Sequence, residues 1–362
     1  MLTKDKFKYY QLGYMLLLKR QSTFKNRKPP MNAMKKKVRA LGLCSGGLDS
    51  MLSGLVLRQQ GIEVEWVSFE TPFFNAAKAR KASEMTGIPL TVKPIFSVYI
   101  KMLRNPPVGY GKYMNPCMDC HTLMFKLAGE MLPEGNFDFL FSGEVLGQRP
   151  MSQNKQSLQY VAKHSGHKGY ILRPLSARNL PETIPEKEGL VDRGQLLDIA
   201  GRGRKRQIEL AREFGISEYP APAGGCLLTD KNYSIRLREI FEHQETCSEE
   251  DLHLLKYGRH FRLNPENKLI VGRTEKDNEQ ILKHRNPATD RVIDVKDYAS
   301  PIGLLSGSAP DNVVLLAATI CTGYSKAPKL SPVDVVIQTA KKEKVIQVIA
   351  IQPGDVRKLM IK

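Results

Sequence analysis

The sequence predicts an α/β protein: a doubly wound parallel sheet followed by a smaller C-terminal α+β region. Three observations carry that expectation. Apolar strand-like runs alternate with helical patterns from Val38 to Phe141, glycines close two of those helices, and after about Phe241 the text changes to period-two alternation. Strands alternating with helices make βαβ units, which assemble into parallel sheets with helices on both faces.

The elements follow in order. Val38–Leu43 reads as a short buried strand, and a helix follows from Met51 to Gln60, with Leu52, Leu55, Val56 and the stem of Gln59 at helical spacing. Gly61 stops it, and Ile62–Phe69 is the second strand. Ala76–Thr86 is a helix closed by Gly87, Pro89–Ile95 a third strand, His121–Met131 a helix and Phe137–Phe141 a further strand. Between Gln153 and Gly225 the pattern loosens, apart from a helix at Gln207–Phe214 ended by Gly215. Tyr257–Arg273 alternates like strands, and Val333–Ile351 reads as two strands around a Lys341–Lys344 turn. No internal repeat is visible. These shifts divide the 362 residues into a basic extension at 1–35, a first domain at 36–240 and a second at 250–362.

Composition narrows the function classes. Hydrophobic residues at 41% and charged residues at 25% exclude wholesale disorder, and no apolar run approaches a membrane span of ~20 residues. No small-residue cleavage site follows Tyr9–Leu18, so a cytoplasmic protein is expected. Six cysteines at this length do not make a secreted disulfide scaffold. A net charge of +18 points to a polyanionic partner, but +11 of it lies in residues 1–40. That stretch reads either as a disordered basic arm or as sequence upstream of a start at Met31 or Met34.

The most informative segment is Ser45-Gly46-Gly47-Leu48-Asp49-Ser50, between a strand and a helix. Adjacent glycines let the backbone turn tightly and bring amide hydrogens close to an anion. The following helix adds its positive end, and the two hydroxyls are donors to phosphate oxygens. Neither a Gly-Lys-Ser/Thr run nor a Gly-x-Gly-x-x-Gly pattern is present, which excludes the Walker and dinucleotide loops. A plain capping turn is the competing structural reading.

The segment resembles the pyrophosphatase loop of the PP-loop, or adenine-nucleotide alpha-hydrolase, enzymes, a HUP-like fold. That resemblance implies ATP cleaved between its alpha and beta phosphates. It assigns Ser45, Gly46, Gly47 and Ser50 to the pyrophosphate, Asp49 to the phosphate-bound Mg²⁺ and Phe69, ending the second strand, to the adenine.

Two cysteine segments add specificity. Asn115-Pro116-Cys117-Met118-Asp119-Cys120-His121 precedes a helix whose dipole favours a Cys120 thiolate, and Ala223-Gly224-Gly225-Cys226-Leu227-Leu228-Thr229-Asp230 follows about a hundred residues later. Inert thiols, or a zinc site completed by His121, are the bland readings. Together with the glycine turn, the two segments resemble the cysteine motifs of the tRNA 2-thiouridylases, in which Cys120 and Cys226 match the pair that carries and releases sulfur. Ser142-Gly143-Glu144-Val145-Leu146-Gly147-Gln148-Arg149 resembles instead a segment of the tRNA 4-thiouridine synthetases, adding Ser142 and Gly143 to the ATP-binding set. Cys117, Cys120 and Cys226 also fit the pattern by which some tRNA thiolases hold a 4Fe–4S cluster, whereas Cys120 and Cys226 alone suffice for a persulfide relay.

For RNA, Arg202, Arg204, Lys205 and Arg206 form a glycine-interrupted basic cluster. Arg259-His260-Phe261-Arg262-Leu263 and Leu269–Asn278 loosely resemble the RNA-binding domain of the NFACT proteins, making Arg259, Arg262 and Arg273 phosphate contacts unless internal salt bridges use them.

The chemistry is coherent. Oxygen leaves a uracil carbon poorly, and adenylation turns it into a good leaving group for sulfur to displace. That is an orientation task, so no His/Asp/Glu constellation is expected. The expected function is ATP-dependent tRNA uridine thiolation, with ATP and Mg²⁺ as cofactors. Its partners are tRNA and a sulfur donor such as a cysteine desulfurase or sulfide. A PP-loop enzyme acting on a small molecule, whether for sulfur insertion or amide formation, and a non-catalytic RNA-binding protein are the alternatives. Oligomeric state and the uridine modified are left open.

Overall fold

The computed structural model describes residues 37–221 and 225–362. The reading of residues 1–35 and the Ala223 and Gly224 positions of the second cysteine segment lie outside the described residues.

The first layer set is built from β1 (Arg39–Leu43), α1 (Leu48–Gln59), β2 (Glu63–Glu70), α2 (Ala77–Thr86), β3 (Leu90–Pro94), α3 (Phe96–Arg104), α4 (Cys117–Glu130), β4 (Phe139–Ser142), α5 (Lys155–His164), β5 (Ile171–Leu172), the short α6 (Ile184–Lys187), α7 (Lys205–Glu213), α8 (Lys231–His243) and α9 (Glu249–Leu254). Its strands are all parallel, in the order β3-β2-β1-β4-β5. The chain therefore reverses its direction of winding between β1 and β4. Along β1, Ala40 packs with Leu52, Trp66, Ala79 and Leu210 on one face, and Leu41 with Phe69, Tyr99, Phe125 and Leu237 on the other. Successive strand residues point to opposite faces, so one strand feeds both cores.

The expected α/β class is the observed one. Helices start earlier than their hydrophobic periodicity indicates: α1 at Leu48 and α4 at Cys117, because glycine and proline segments precede their apolar faces. Sequence reasoning missed α3, whose aromatic and β-branched opening Phe96-Ser97-Val98-Tyr99 looks like strand. The burial of Tyr99 and Leu103, four residues apart on one helix face, overrides that local preference.

The C-terminal region continues with β6 (Arg259–Arg262), β7 (Lys268–Val271), α10 (Glu275–Lys283), β8 (Arg291–Val295), β9 (Gly303–Leu305), α11 (Asp311–Gly323), β10 (Val333–Gln338) and β11 (Glu343–Val348). These strands form an antiparallel sheet ordered β11-β10-β8-β9-β7-β6. α11 covers one face through Ala317, Ala318 and Cys321, and Ile281 of α10 packs on the other against Ile270, Val292 and Leu304. Glu239 of α8 ties the two sheets together: it pairs with Lys268 Nζ at 2.9 Å and with the Arg262 guanidinium. Among the described residues no helix is long and apolar enough to cross a membrane.

Candidate active site

In an open parallel sheet, the crevice lies beyond the carboxyl ends of the strands where the winding reverses. Here that point is the end of β1 beside β4, with Leu43 paired in register to Ser142. The two segments leaving it are the glycine turn and Ser142-Gly143-Glu144. Gly46 adopts φ +70°, and a Cβ there would lie 2.1–2.4 Å from the Lys78 and Ala79 backbone of α2. Gly143 is as tight: its Cβ would come 2.4–2.5 Å from the backbone of Asp49 and Ser50. Only glycine allows these approaches. Gly47, by contrast, is open: among the described residues only Ser45 Oγ, at 3.4 Å, comes near the position of a Cβ. Ser50 Oγ donates to Gly47 O at 2.8 Å, closing the turn onto the first amides of α1, which lack intrahelical acceptors.

Polar groups converge there without satisfying one another. Asp49 Oδ2 accepts from Gln148 Nε2 at 2.9 Å, while Asp49 Oδ1, Gln148 Oε1, both polar atoms of the Gln207 side chain and Arg204 Nε are buried with no hydrogen-bond partner among the described residues. Burial pushes the Asp49 carboxyl above the usual range, opposed by the Gln148 bond and the Arg204 charge. Native proteins rarely leave such atoms unpaired, so this cluster is dressed for a polar ligand. Arg204, grouped with RNA in the sequence, thus belongs to the glycine turn.

The two cysteine segments are anchored to neighbouring parts of the first region. Leu227 N donates to Phe73 O at 3.0 Å, pinning the Cys226 loop over the end of β2. Met114 N donates to Ser234 Oγ at 3.4 Å, linking the segment before Cys117 to the helix after Cys226. A Cβ on Gly225 would lie 3.9 Å from Lys78 Nζ, so this loop also borders the helix that supports Gly46. Burial raises the Cys120 thiol far above its ordinary value; a hydrogen bond from Tyr99 opposes this, and the neighbouring Cys226 and Cys117 add to the rise. Cys226 is pushed up to about 11, again mainly by burial, with Cys117 adding to it. At Cys120, burial therefore works against the thiolate that the helix dipole favours.

The cluster expectation meets a mismatch. Among the described residues, no three His, Cys, Asp or Glu side chains are gathered at the spacing of a shared metal ion. The thiols influence one another electrostatically but stand as separate thiols. Phe69, expected at the adenine, is 4% exposed and packs in the core cluster that holds Leu41 and Tyr99.

Between turn and thiols lies a constellation the sequence reading did not expect. His121, next to Cys120, holds Glu144 Oε1 through Nδ1 at 2.8 Å. Glu144 Oε2 accepts from Arg173 Nε at 3.0 Å and Ser142 Oγ at 3.1 Å. Burial opposes the charge on Glu144, but Arg173 and then His121 hold the carboxyl down to about 2. The carboxylate fixes the imidazole and couples the strand bearing Gly143 to the helix bearing Cys120. Four residues make this group; the sequence reading touches His121 through the first cysteine segment and Ser142 and Glu144 through the Ser142–Arg149 resemblance, but not their meeting.

The basic residues separate into two kinds. Arg202 and Lys205 are exposed, whereas Arg206 bridges Glu213 at 2.8 Å and Glu209 at 3.5 Å. Arg262 is committed to Glu239, and Arg273 Nε to Asp277 at 2.8 Å. Arg259 donates to Gly272 O and lies 4.8 Å over the Tyr324 ring.

Comparison with known proteins adds to this geometry. Residues 36–184 match the family model of the thiamine biosynthesis protein ThiI, and residues 258–360 that of the NFACT protein RNA binding domain. A "Probable tRNA sulfurtransferase" of Oceanobacillus iheyensis is 25% identical over 155 residues, 40% of this chain and 37% of that protein. The tRNA-specific 2-thiouridylase MnmA of Sulfurimonas denitrificans is 38% identical over 109 residues, 27% of this chain and 30% of that protein. A "Probable tRNA sulfurtransferase" of Lactobacillus gasseri is 27% identical over 155 residues, 40% of this chain and 36% of that protein. The chain thus spans roughly a third of the length of these curated relatives. Both resemblances read in the sequence are met: the first region is similar to the ThiI family model and the C-terminal region to the NFACT protein RNA binding domain.

Proposed function

We propose that this chain is an ATP-dependent tRNA uridine sulfurtransferase. The observation that carries the reading is the contact path from glycine turn to thiols: Gly143 against Asp49, Glu144 to His121, and His121 beside Cys120. ATP is the activating substrate. Its triphosphate lies on Ser45, Gly46, Gly47 and Ser50, with the unpaired atoms of Gln148, Gln207 and Arg204 as further donors or acceptors. Mg²⁺, when bound, neutralises the polyphosphate, and the free, buried Asp49 Oδ1 is the oxygen suited to hold it.

A uracil carbonyl oxygen attacks the alpha phosphorus, pyrophosphate leaves, and the ring carbon becomes open to displacement of AMP. The residues here act by orienting the reactants. Sulfur arrives on Cys120. Its outer atom displaces AMP, and Cys226 then attacks Cys120 Sγ, leaving a thiocarbonyl on the base and a Cys120–Cys226 disulfide. A dithiol reductant resets the pair. No step is routed through an iron–sulfur cluster, since the cysteines are not gathered as one ligand set.

The C-terminal sheet holds RNA in this reading, with Arg202, Lys205 and Arg259 the phosphate contacts least committed to internal carboxylates. The domains divide between residues 240 and 255. The test is nucleoside mass spectrometry of tRNA from a deletion strain, complemented by the wild-type chain or by Cys226→Ser. Thiouridine lost on deletion and restored only by the wild type is expected. Unchanged thiouridine overturns the reading. Pyrophosphate release that follows a small metabolite and ignores tRNA transfers it to a small-molecule enzyme.

A further inference from the structure

One buried group near the thiols has no place in the chemistry above. Tyr99 of α3 is 0% exposed, its ring fixed against Phe73 at 5.7 Å and Phe74 at 5.4 Å between centroids. Its hydroxyl finds no nitrogen or oxygen partner among the described residues. What it meets is sulfur: Cys120 and Cys226 pack against the buried cluster that contains Tyr99, the hydroxyl is turned toward Cys120, and burial, then those thiols, oppose its ionisation. The nearby Tyr233 differs, since its hydroxyl donates to Leu252 O at 3.0 Å.

A buried hydroxyl with no nitrogen or oxygen partner destabilises the fold, a penalty that phenylalanine would avoid at the same position. A neutral thiol is a weak acceptor and repays little of that. An anionic sulfur is a strong one, and a persulfide moves the acceptor about 2.05 Å beyond Sγ, the length of one S–S bond.

We propose that Tyr99 Oη is the hydrogen-bond donor that holds the outer sulfur of a Cys120 persulfide, making Tyr99 the positioning residue of the sulfur carrier. The inference rests on the reading of Cys120 as that carrier. In loading, the Cys120 thiol attacks the outer sulfur of a persulfide or polysulfide donor. A Cys120 S–S bond forms, the donor's S–S bond breaks, and the proton leaves with the donor thiol. Tyr99 keeps its own proton throughout and donates to the new terminal sulfur. The fixed ring aims that sulfur.

The experiment loads the full-length chain with sodium polysulfide and reads persulfide on the Cys120 peptide by alkylation and mass spectrometry. Tyr99→Phe keeps the ring and loses the donor. Its equilibrium loading is expected to fall about tenfold, as for a hydrogen bond to a charged acceptor, with a shifted near-ultraviolet perthiolate band. Tyr233→Phe, which removes a hydroxyl already bonded elsewhere, is expected to load like the wild type. In the wild type, labelled Tyr99 ¹³Cζ should shift on loading, a readout that needs no variant. Equal loading of wild type and Tyr99→Phe, or an unmoved ¹³Cζ resonance, overturns the inference. A wild type that takes no sulfur on Cys120 instead overturns the carrier reading beneath it.

Discussion

The two sheets bury charged and polar groups in opposite ways. Around the parallel sheet, Asp49, Gln148, Gln207 and Arg204 crowd the glycine turn, yet several of their atoms meet no partner. Around the antiparallel sheet, Glu239 takes both Lys268 and Arg262, and Asp277 takes Arg273 together with the Gly258 amide at 3.1 Å. The second region pairs its buried carboxylates with cations, although His260 Nδ1 is buried there without a partner among the described residues. The first gathers several unpaired atoms at one end of its strands, and such a cluster is what a polar ligand would complete. In the proposed function the first region reacts and the second holds.

The largest effect should come from the incomplete region. Cys226→Ser is expected to abolish thiouridine while tRNA-dependent AMP formation persists, because sulfur release fails after activation. Asp49→Asn should strike the earlier step, lowering AMP formation by about 10²–10³-fold, the usual loss when one charge-positioning group goes. Parallel assays of pyrophosphate and thiolated nucleosides separate the two. Equal loss of both products in Cys226→Ser would merge steps that the geometry keeps apart.

The second region should respond in stability. Burial depresses Lys268 to about 8 even though Glu239 supports its charge. Glu239→Ala leaves that ammonium and the Arg262 guanidinium without their carboxylate, at a cost of about 3 kcal/mol. Denaturant unfolding should register the loss, while AMP formation per folded molecule holds. A variant as stable as the wild type would remove the contrast between the regions.

Much of the first region was legible in the sequence because its signals are local. Two glycines in a row, a strand before them and a helix after them sit within a dozen residues, and Cys117 and Cys120 share one helical turn. What stayed hidden depends on separation along the chain. His121, Glu144 and Arg173 meet from α4, the end of β4 and the segment after β5, and nothing in any one stretch announces the encounter. For Phe69 and Cys120, position in an element was visible in the sequence but burial was not: both pack in one apolar cluster, and burial opposes a thiolate at Cys120.

Glu144 offers a finer probe of the incomplete region, since it is the one carboxylate there that is fully partnered. Its ordinary value of 4.5 falls to about 2 in the folded chain despite burial, through Arg173 and His121. The unfolded chain therefore binds the proton first as pH falls. The stabilisation is complete above 4.5 and lost progressively between 4.5 and about 2, with a slope of at most ~1.4 kcal/mol per pH unit. Urea unfolding across that window should show the slope in the wild type and lack it in Glu144→Gln, and an equal slope in both would free Glu144 from the triad.

The smallest effect concerns RNA, and it asks whether exposed cations behave differently from committed ones. Arg202 and Lys205 are exposed, while Arg206 beside them bridges two glutamates. A cation contacting phosphate releases counterions on binding, so its removal flattens the salt dependence of affinity by about one unit of slope. Arg202→Ala and Lys205→Ala should each weaken tRNA binding a few-fold at physiological salt and reduce that slope, in filter-binding titrations from low to high salt. Arg206→Ala should leave the slope where it was, because its charge is already spent on Glu209 and Glu213. If all three flatten it equally, internal pairing does not sort binding cations from structural ones, and the cluster acts only through its summed charge.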